Sequence, residues 1–384
     1  MLKLPTVAYS ANVRLGGGGM GSSLLALVTS LHRAQVLQQV IVSSYKDVSF
    51  PTQLVTSIGL LGRLQKRSVI YDPTGWSDYF ANRLFDAWAS RVIRPVEIFE
   101  SWTGFCELSL MSAKALGMQT YLGHGSAHPH DQIILINTER ELWGLPPIKT
   151  APNAKQLERE FQLADTIIVQ SSFSEQSLRT NGVSAEKITR LPPGVNTSHF
   201  FPAPPDTTRT FRVLFLGQVT LRKGLQYLLE AWKRLAWRDA ELWVVGKVLS
   251  DSKPVLNHYA GLPGLHLTGY VPDQLEALQK ADVFVAPSVE DGFGHTVIEA
   301  MACGLPVVAS ANTGASDLVR ESEGGFVVPY NSVDQYAMAL EKLRSDTQLR
   351  HNMGQAALAR AQKQTWDMYQ QQALLLYSNR RRIA

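Results

Sequence analysis

Residues 283–310 read VFVAPSVEDGFGHTVIEAMACGLPVVAS. The four apolar residues at 283–286 have the composition of a fully buried parallel strand. Gly292 and Gly294 free the backbone after it, and 296–303 carries helical character until Gly304 and Pro306 stop it. Strand, glycine-punctuated acidic loop and helix in that order predict an α/β unit whose loop ends at a helix N-terminus. Unpaired amides and the positive end of the helix dipole favour anions there, phosphate oxygens above all. Asp291 and Glu299 are separated by seven residues. Glu299, one turn into the helix, could accept two hydrogen bonds from a vicinal diol such as a ribose, while Asp291 stands where a sugar hydroxyl could reach it. Two solvated acids on an ordinary strand-loop-helix unit are the plain alternative.

Working outward, apolar runs alternate with helical patterns along the chain, which predicts parallel sheets covered on both faces. Strands are expected at 6–10, 40–43, 69–71, 97–99, 119–123 and 166–170. The stretch LPPGVNTSHFFPAPPDTT at 191–208 has five prolines and no helical period, so the interdomain linker is placed there. A second series follows at 212–217, 242–246, 265–269, 283–288, 306–310 and 325–329. The 384 residues, 45% apolar, suit two domains of roughly 150 to 200 residues each. Two doubly wound Rossmann-like sheets would present their carboxyl strand ends to one central cleft.

Composition narrows the partners. The net charge of +4, from 37 basic and 33 acidic residues, is too mild to imply nucleic acid. Lys66, Arg67, Arg91, Arg94 and Arg380 to Arg382 form local clusters that could favour an anionic membrane surface or an acidic acceptor, or be a solvated basic face. No stretch approaches 18 uninterrupted apolar residues, and the N-terminus has neither a long apolar region nor a cleavage site, so a soluble cytoplasmic protein is expected. Cys106 and Cys303 lie in separate apolar patterns and are expected as buried thiols.

The run at 287–310 resembles the donor-binding signature of retaining glycosyltransferases of the GT-B fold, particularly family 4 (glycosyl transferases group 1), where an acid, seven residues and a glutamate precede AMACGxPVVAS. Asp291 keeps that spacing and Glu290 is one residue out of register. Which of the two contacts the donor sugar stays open. The resemblance covers nearly the whole chain, most strongly after 165 and least between about 45 and 115. It implies an N-terminal acceptor-side domain over 1–200, a donor domain over 201–364 and a terminal helix within 365–384 that returns to the first domain.

The same resemblance implies a metal-independent retaining enzyme with no cofactor, taking a nucleoside-diphosphate sugar, UDP- or GDP-linked, as donor. Its acceptor would be a sugar, glycan or lipid-linked hydroxyl, with peripheral contact at the inner membrane face as an option. A sugar-nucleotide-binding partner that has lost catalysis is the alternative. Arg222 and Lys223, in a loop before a helix, would neutralise the leaving diphosphate. The family has an arginine where Gln218 follows Gly217, so Arg222 would supply that charge. Glu299 would hold the ribose, and Asp291 with Gly292, Phe293 and Gly294 the donor sugar.

His295 and Thr296 would offer helix-start amides to phosphate, and Val271, in LTGYVP, would lie against the base. His124, in GHGSAHPHD, would face the acceptor; His128, His130 and Asp131 raise a rival metal site, which Gly125, Ser126 and Pro129 argue against. Gly17, Gly18 and Gly19 would touch the diphosphate or the acceptor. Those glycines lack the spacing of a dinucleotide fingerprint. Trp366 is read as a packing anchor.

Overall fold

The computed structural model describes residues 4–16, 20–46, 48–59, 76–149, 153–204 and 210–378. Two parallel sheets organise it. The first contains β1 (Val7–Leu15), β2 (Leu37–Tyr45), β3 (Val55–Ser57), β4 (Ile98–Trp102), β5 (Gln119–His124), β6 (Thr166–Val169) and β7 (Ile188–Arg190), in the order β3-β2-β1-β4-β5-β6-β7. The second contains β8 (Phe211–Leu216), β9 (Ala240–Val245), β10 (Leu265–Gly269), β11 (Val283–Ala286), β12 (Val307–Ser310) and β13 (Gly325–Val328), ordered β10-β9-β8-β11-β12-β13. These are the two doubly wound Rossmann-like sheets of the GT-B architecture.

The central strands are buried on both faces, as parallel sheets require: all four residues of β11 and of β12 are buried. The expected strands have counterparts, except that 69–71 lies outside the described residues. Two three-residue edge strands, β3 and β7, were not expected; neither carries an apolar run long enough to be read alone. Both cysteines are free and buried. Among the described residues no helix is long and apolar enough to cross a membrane.

In each sheet the strand order reverses at one point, between β1 and β4 in the first and between β8 and β11 in the second. Loops leaving adjacent strands in opposite directions open a crevice there, where open α/β sheets bind ligands. The helix Trp366–Ser378 crosses back to the first sheet, where Ala373 and Tyr377 join its core. The Tyr377 hydroxyl donates to the buried carboxylate of Glu100 on β4. At the start of the linker the Val195 amide donates to the Gln364 carbonyl at 2.9 Å, and Gln364 Nε2 donates to the Pro192 carbonyl at 2.9 Å. Crossover and returning helix therefore lie side by side.

Candidate active site between the two sheets

The loop after β8 carries the two cations. A short turn at Leu221–Lys223 ends at Gly224, whose φ of 70° is left-handed. A Cβ there would fall 1.8 Å from the Pro287 carbonyl oxygen. Glycine lets this loop lie directly against the one leaving β11. The Val289 amide seals the contact by donating to the Arg222 carbonyl at 2.9 Å.

Two adjacent acids then take two different cations. Lys223 Nζ donates to Asp291 Oδ2 in a tight ion pair whose side chains are 19% and 15% exposed. Burial alone would raise the Asp291 pKa, but the charges of Lys223 and Arg222 outweigh it and hold the carboxyl below its ordinary value. Arg222 Nη1 instead lies 3.2 Å from Glu290 Oε2 and 3.0 Å from the Glu290 carbonyl. The Glu290 carboxylate is fully buried and crosses to the first sheet: Ser126 Oγ and the Ala127 amide donate to Oε1 at 2.7 and 2.9 Å, and Gln132 Nε2 to Oε2 at 3.0 Å. The chain comes so close there that a Cβ on Gly292 would fall 2.1 Å from the Gly125 carbonyl oxygen.

Other bonds repeat this crossing. Ser171 Oγ donates to the Gly292 carbonyl at 2.7 Å, and the Ser172 amide and hydroxyl donate to Asp317 at 2.8 and 2.6 Å. On the far side of the cation loop, the buried Glu139 accepts from Gln226 Nε2 at 2.9 Å and from the Tyr227 hydroxyl at 2.5 Å. The segment 221–227 is thus tied to helix Pro129–Leu142 through Gln226 and Tyr227, and to the loop before that helix through Arg222 and Glu290.

A cleft of about 660 Å³ opens beside this network. Its wall on the second sheet carries Gln274, His295 and Glu299; its wall on the first carries Tyr9, Trp102 and His124, with Trp366 and Tyr369 of the returning helix. The helix His295–Ala302 starts after Gly294, so the amides of His295 and Thr296 belong to its unpaired first turn. Glu299 accepts from Gln274 Nε2 at 3.2 Å, and burial raises its pKa against that hydrogen bond. His124 is 4% exposed; burial pulls its pKa down to about 4, so the imidazole is neutral at physiological pH. Its Nδ1 lies 3.1 Å from Thr103 Oγ1 and its Nε2 3.2 Å from the Ala127 carbonyl.

The structure thus brings His124, His295 and Glu299 to one cleft and pairs Lys223 with Asp291 in the loops after β8 and β11. Lys223, Asp291, Gly217, Gln218 and Val271 are not among the residues lining that cleft, although all follow carboxyl ends of strands in the second sheet. Gln218 is exposed and Val271 half-buried against the second core. Gly17, Gly18 and Gly19 lie outside the described residues. His130 pairs with Asp131 at 3.6 Å, away from His124, and among the described residues no group of three or more His, Cys, Asp or Glu side chains could hold a metal ion. Trp366 packs as expected, its ring stacked on His295 at 6.4 Å, but it also faces the cleft. Gln274 and Tyr369 had no signal in the sequence pattern, and the part Glu290 plays between the sheets could not be read from it, since its partners come from distant segments.

Comparison with known proteins finds likenesses of sequence and of fold. Residues 210–346 match the family model described as Glycosyl transferases group 1. A D-inositol 3-phosphate glycosyltransferase of Paenarthrobacter aurescens (strain TC1) is 32% identical over 203 residues, which are 48% of this chain and 50% of that protein. The chain spans about half to two thirds of the length of the curated relatives it matches first. Among solved structures, a sucrose-phosphate synthase from Thermosynechococcus elongatus superposes with a TM-score of 0.68 at 21% identity, covering 97% of this chain and 98% of that one. Anabaena Alr3699/HepE, solved in complex with UDP and glucose, gives 0.67 at 16% identity, covering 98% and 100%. At those identities the structural likeness speaks for the fold.

Proposed function

We propose that this chain is a retaining, metal-independent glycosyltransferase that moves a sugar from a nucleoside-diphosphate donor to an acceptor hydroxyl of a glycan, polysaccharide or glycolipid. The observation that carries the reading is the juxtaposition of Lys223 and Asp291 at the start of the helix that delivers Glu299 to the cleft. The family match over 210–346, the segment holding all three residues, supports it.

In this reading the donor diphosphate competes with Asp291 for Lys223 and frees that carboxylate for a sugar hydroxyl. Lys223 and Arg222 then face the negative charge that grows on the departing diphosphate as the sugar-oxygen bond breaks, and fixed cations at that place lower the barrier. The amides of His295 and Thr296 add helix-start donors. Glu299 takes the ribose diol in place of Gln274, and Gly292 to Gly294 lay backbone along the sugar. His124, neutral, faces the acceptor side, where a hydrogen bond to the acceptor replaces the one to Thr103 or to the Ala127 carbonyl. Transfer on the same face, with the leaving phosphate accepting the acceptor's proton, accounts for retention without a covalent nucleophile.

The test is thermal-shift titration with UDP, GDP, ADP and their sugars, followed by assay of nucleotide release. A ligand of the native state raises the melting temperature by mass action. Stabilisation by one nucleoside diphosphate together with release from its sugar is the expected result. Stabilisation without turnover across acceptors would point to a binding protein, and no response to any nucleotide would refute the reading.

A further inference from the structure

We propose that Trp102 is the platform on which the acceptor is recognised, and that the acceptor presents a neutral pyranoside ring to it. The proposal rests on the glycosyltransferase reading above and adds the chemical class of the second substrate.

Trp102 ends β4 at the point where the first sheet reverses its strand order. Its indole is half-buried and lines the cleft opposite Glu299 and His295. The neighbouring strand makes room for it: a Cβ on Gly123 would lie 2.2 Å from Cε3 of the indole, and one on Gly125 would lie 2.9 Å from Cζ2. The six-membered ring thus occupies the space of two absent side chains, with those backbone atoms behind it and the cleft in front. Its position is further fixed where the Trp102 carbonyl accepts from Cys106 Sγ at 3.2 Å and the Thr103 amide donates to the Gly123 carbonyl at 3.0 Å. Among the described residues the indole N–H has no protein partner, and it is not sealed from solvent.

Chemistry selects the ligand. The C–H groups on one face of a pyranoside form an apolar patch that gains by burial against an aromatic face, while its rim of hydroxyls needs donors and acceptors. Trp102 offers both an aromatic face and a free N–H. Beside it, Tyr9 and Tyr369 extend the aromatic wall. His124, whose two ring nitrogens are taken by Thr103 and the Ala127 carbonyl, closes the wall from the next strand as a neutral group. A packing role alone would require no opening of the ring to the cleft.

The experiment measures binding of methyl and octyl glucosides, galactosides and mannosides by saturation-transfer NMR, with UDP or GDP saturating, in wild type, Trp102→Phe, Trp102→Ala and Gly123→Ala. The expected result is binding of at least one pyranoside to wild type, a loss of about tenfold in Trp102→Ala and in Gly123→Ala, where the ring is displaced rather than removed, and most of the affinity kept by Trp102→Phe. Nucleoside-diphosphate affinity stays within about twofold throughout. Should a variant fail to fold, nucleotide affinity reveals it and the remaining variants decide. Pyranoside binding undiminished in a folded Trp102→Ala or Gly123→Ala protein, or binding of nucleotide by wild type without any pyranoside, overturns the platform. Failure of wild type to bind either nucleotide would instead strike the glycosyltransferase reading.

Discussion

The Glu290 carboxylate accepts a hydrogen bond from the Ala127 amide at 2.9 Å across 163 positions of sequence. Its neighbour Asp291 is held by Lys223, within the second domain. One acid therefore joins the two sheets' loops and the next pairs with a cation inside the second. Breaking a buried charge network from one side leaves its other members unpaired, at a cost of about 3 to 5 kcal/mol. Glu290→Ala is accordingly expected to lower the unfolding free energy, read from urea titration, by that order and to speed hydrogen exchange at the Ala127 amide. Asp291→Ala removes a single ion pair, whereas Glu290 also satisfies Ser126, Gln132 and the Ala127 amide, and it is expected to cost less. Equal losses in the two variants would contradict this division of labour.

Gly224 tests the packing beneath the cations. An alanine there would need both a left-handed backbone and space already filled by the Pro287 carbonyl. Gly224→Ala should destabilise the fold by about 1 to 3 kcal/mol and reduce nucleotide release with it, because the loop bearing Arg222 and Lys223 must move. A variant with wild-type stability and turnover would show the loop to be independent of β11.

Glu100 makes stability depend on pH. Burial raises its pKa from 4.5 to about 7, against the lowering effect of the Tyr377 hydrogen bond. The folded state therefore holds a proton that the unfolded chain has already released between those values, so the stabilisation present below pH 4.5 is lost as pH rises to about 7. Glu100→Gln should remove this slope and gain stability at pH 8 on the order of 3 kcal/mol. Parallel stability curves for the two proteins from pH 5 to pH 8 would refute it.

His124 acts in the opposite direction. With a folded pKa near 4 against an ordinary 6.5, its stabilising contribution is complete above pH 6.5 and is lost as pH falls toward 4. NMR titration should find a His124 ring that stays neutral from pH 5 to pH 8, and His124→Gln should leave the pH profile of turnover unchanged above pH 6. An inflection assigned to His124 near pH 6.5 would contradict the buried, neutral role.

How much of this was legible depended on distance along the chain. The six strands of the second sheet were readable because each is a short apolar run between glycines or prolines; β7, with the sequence ITR, lacked that pattern. In the unit at 283–310 spacing marked Asp291 and Glu299 as candidates, and the family resemblance gave them their expected roles. The same pattern could not say that Glu290 would be taken by Ser126 and Gln132, because those partners lie 164 and 158 positions away. Trp102 is one of several aromatic residues the sequence offers before residue 115, and what sets it apart, the room left by Gly123 and Gly125 of the adjacent strand, was not legible.

The most direct test of the account is the turnover of the nucleoside-diphosphate sugar that stabilises wild type, measured as nucleotide release in Lys223→Ala and Glu299→Ala. Removing a preorganised charge that acts in the transition state is expected to lower kcat by about 10²-fold or more in Lys223→Ala. Loss of the ribose contact in Glu299→Ala should chiefly weaken donor binding and raise KM. Turnover within a factor of about two of wild type in both variants, with nucleotide still bound, would contradict the placement of the active site.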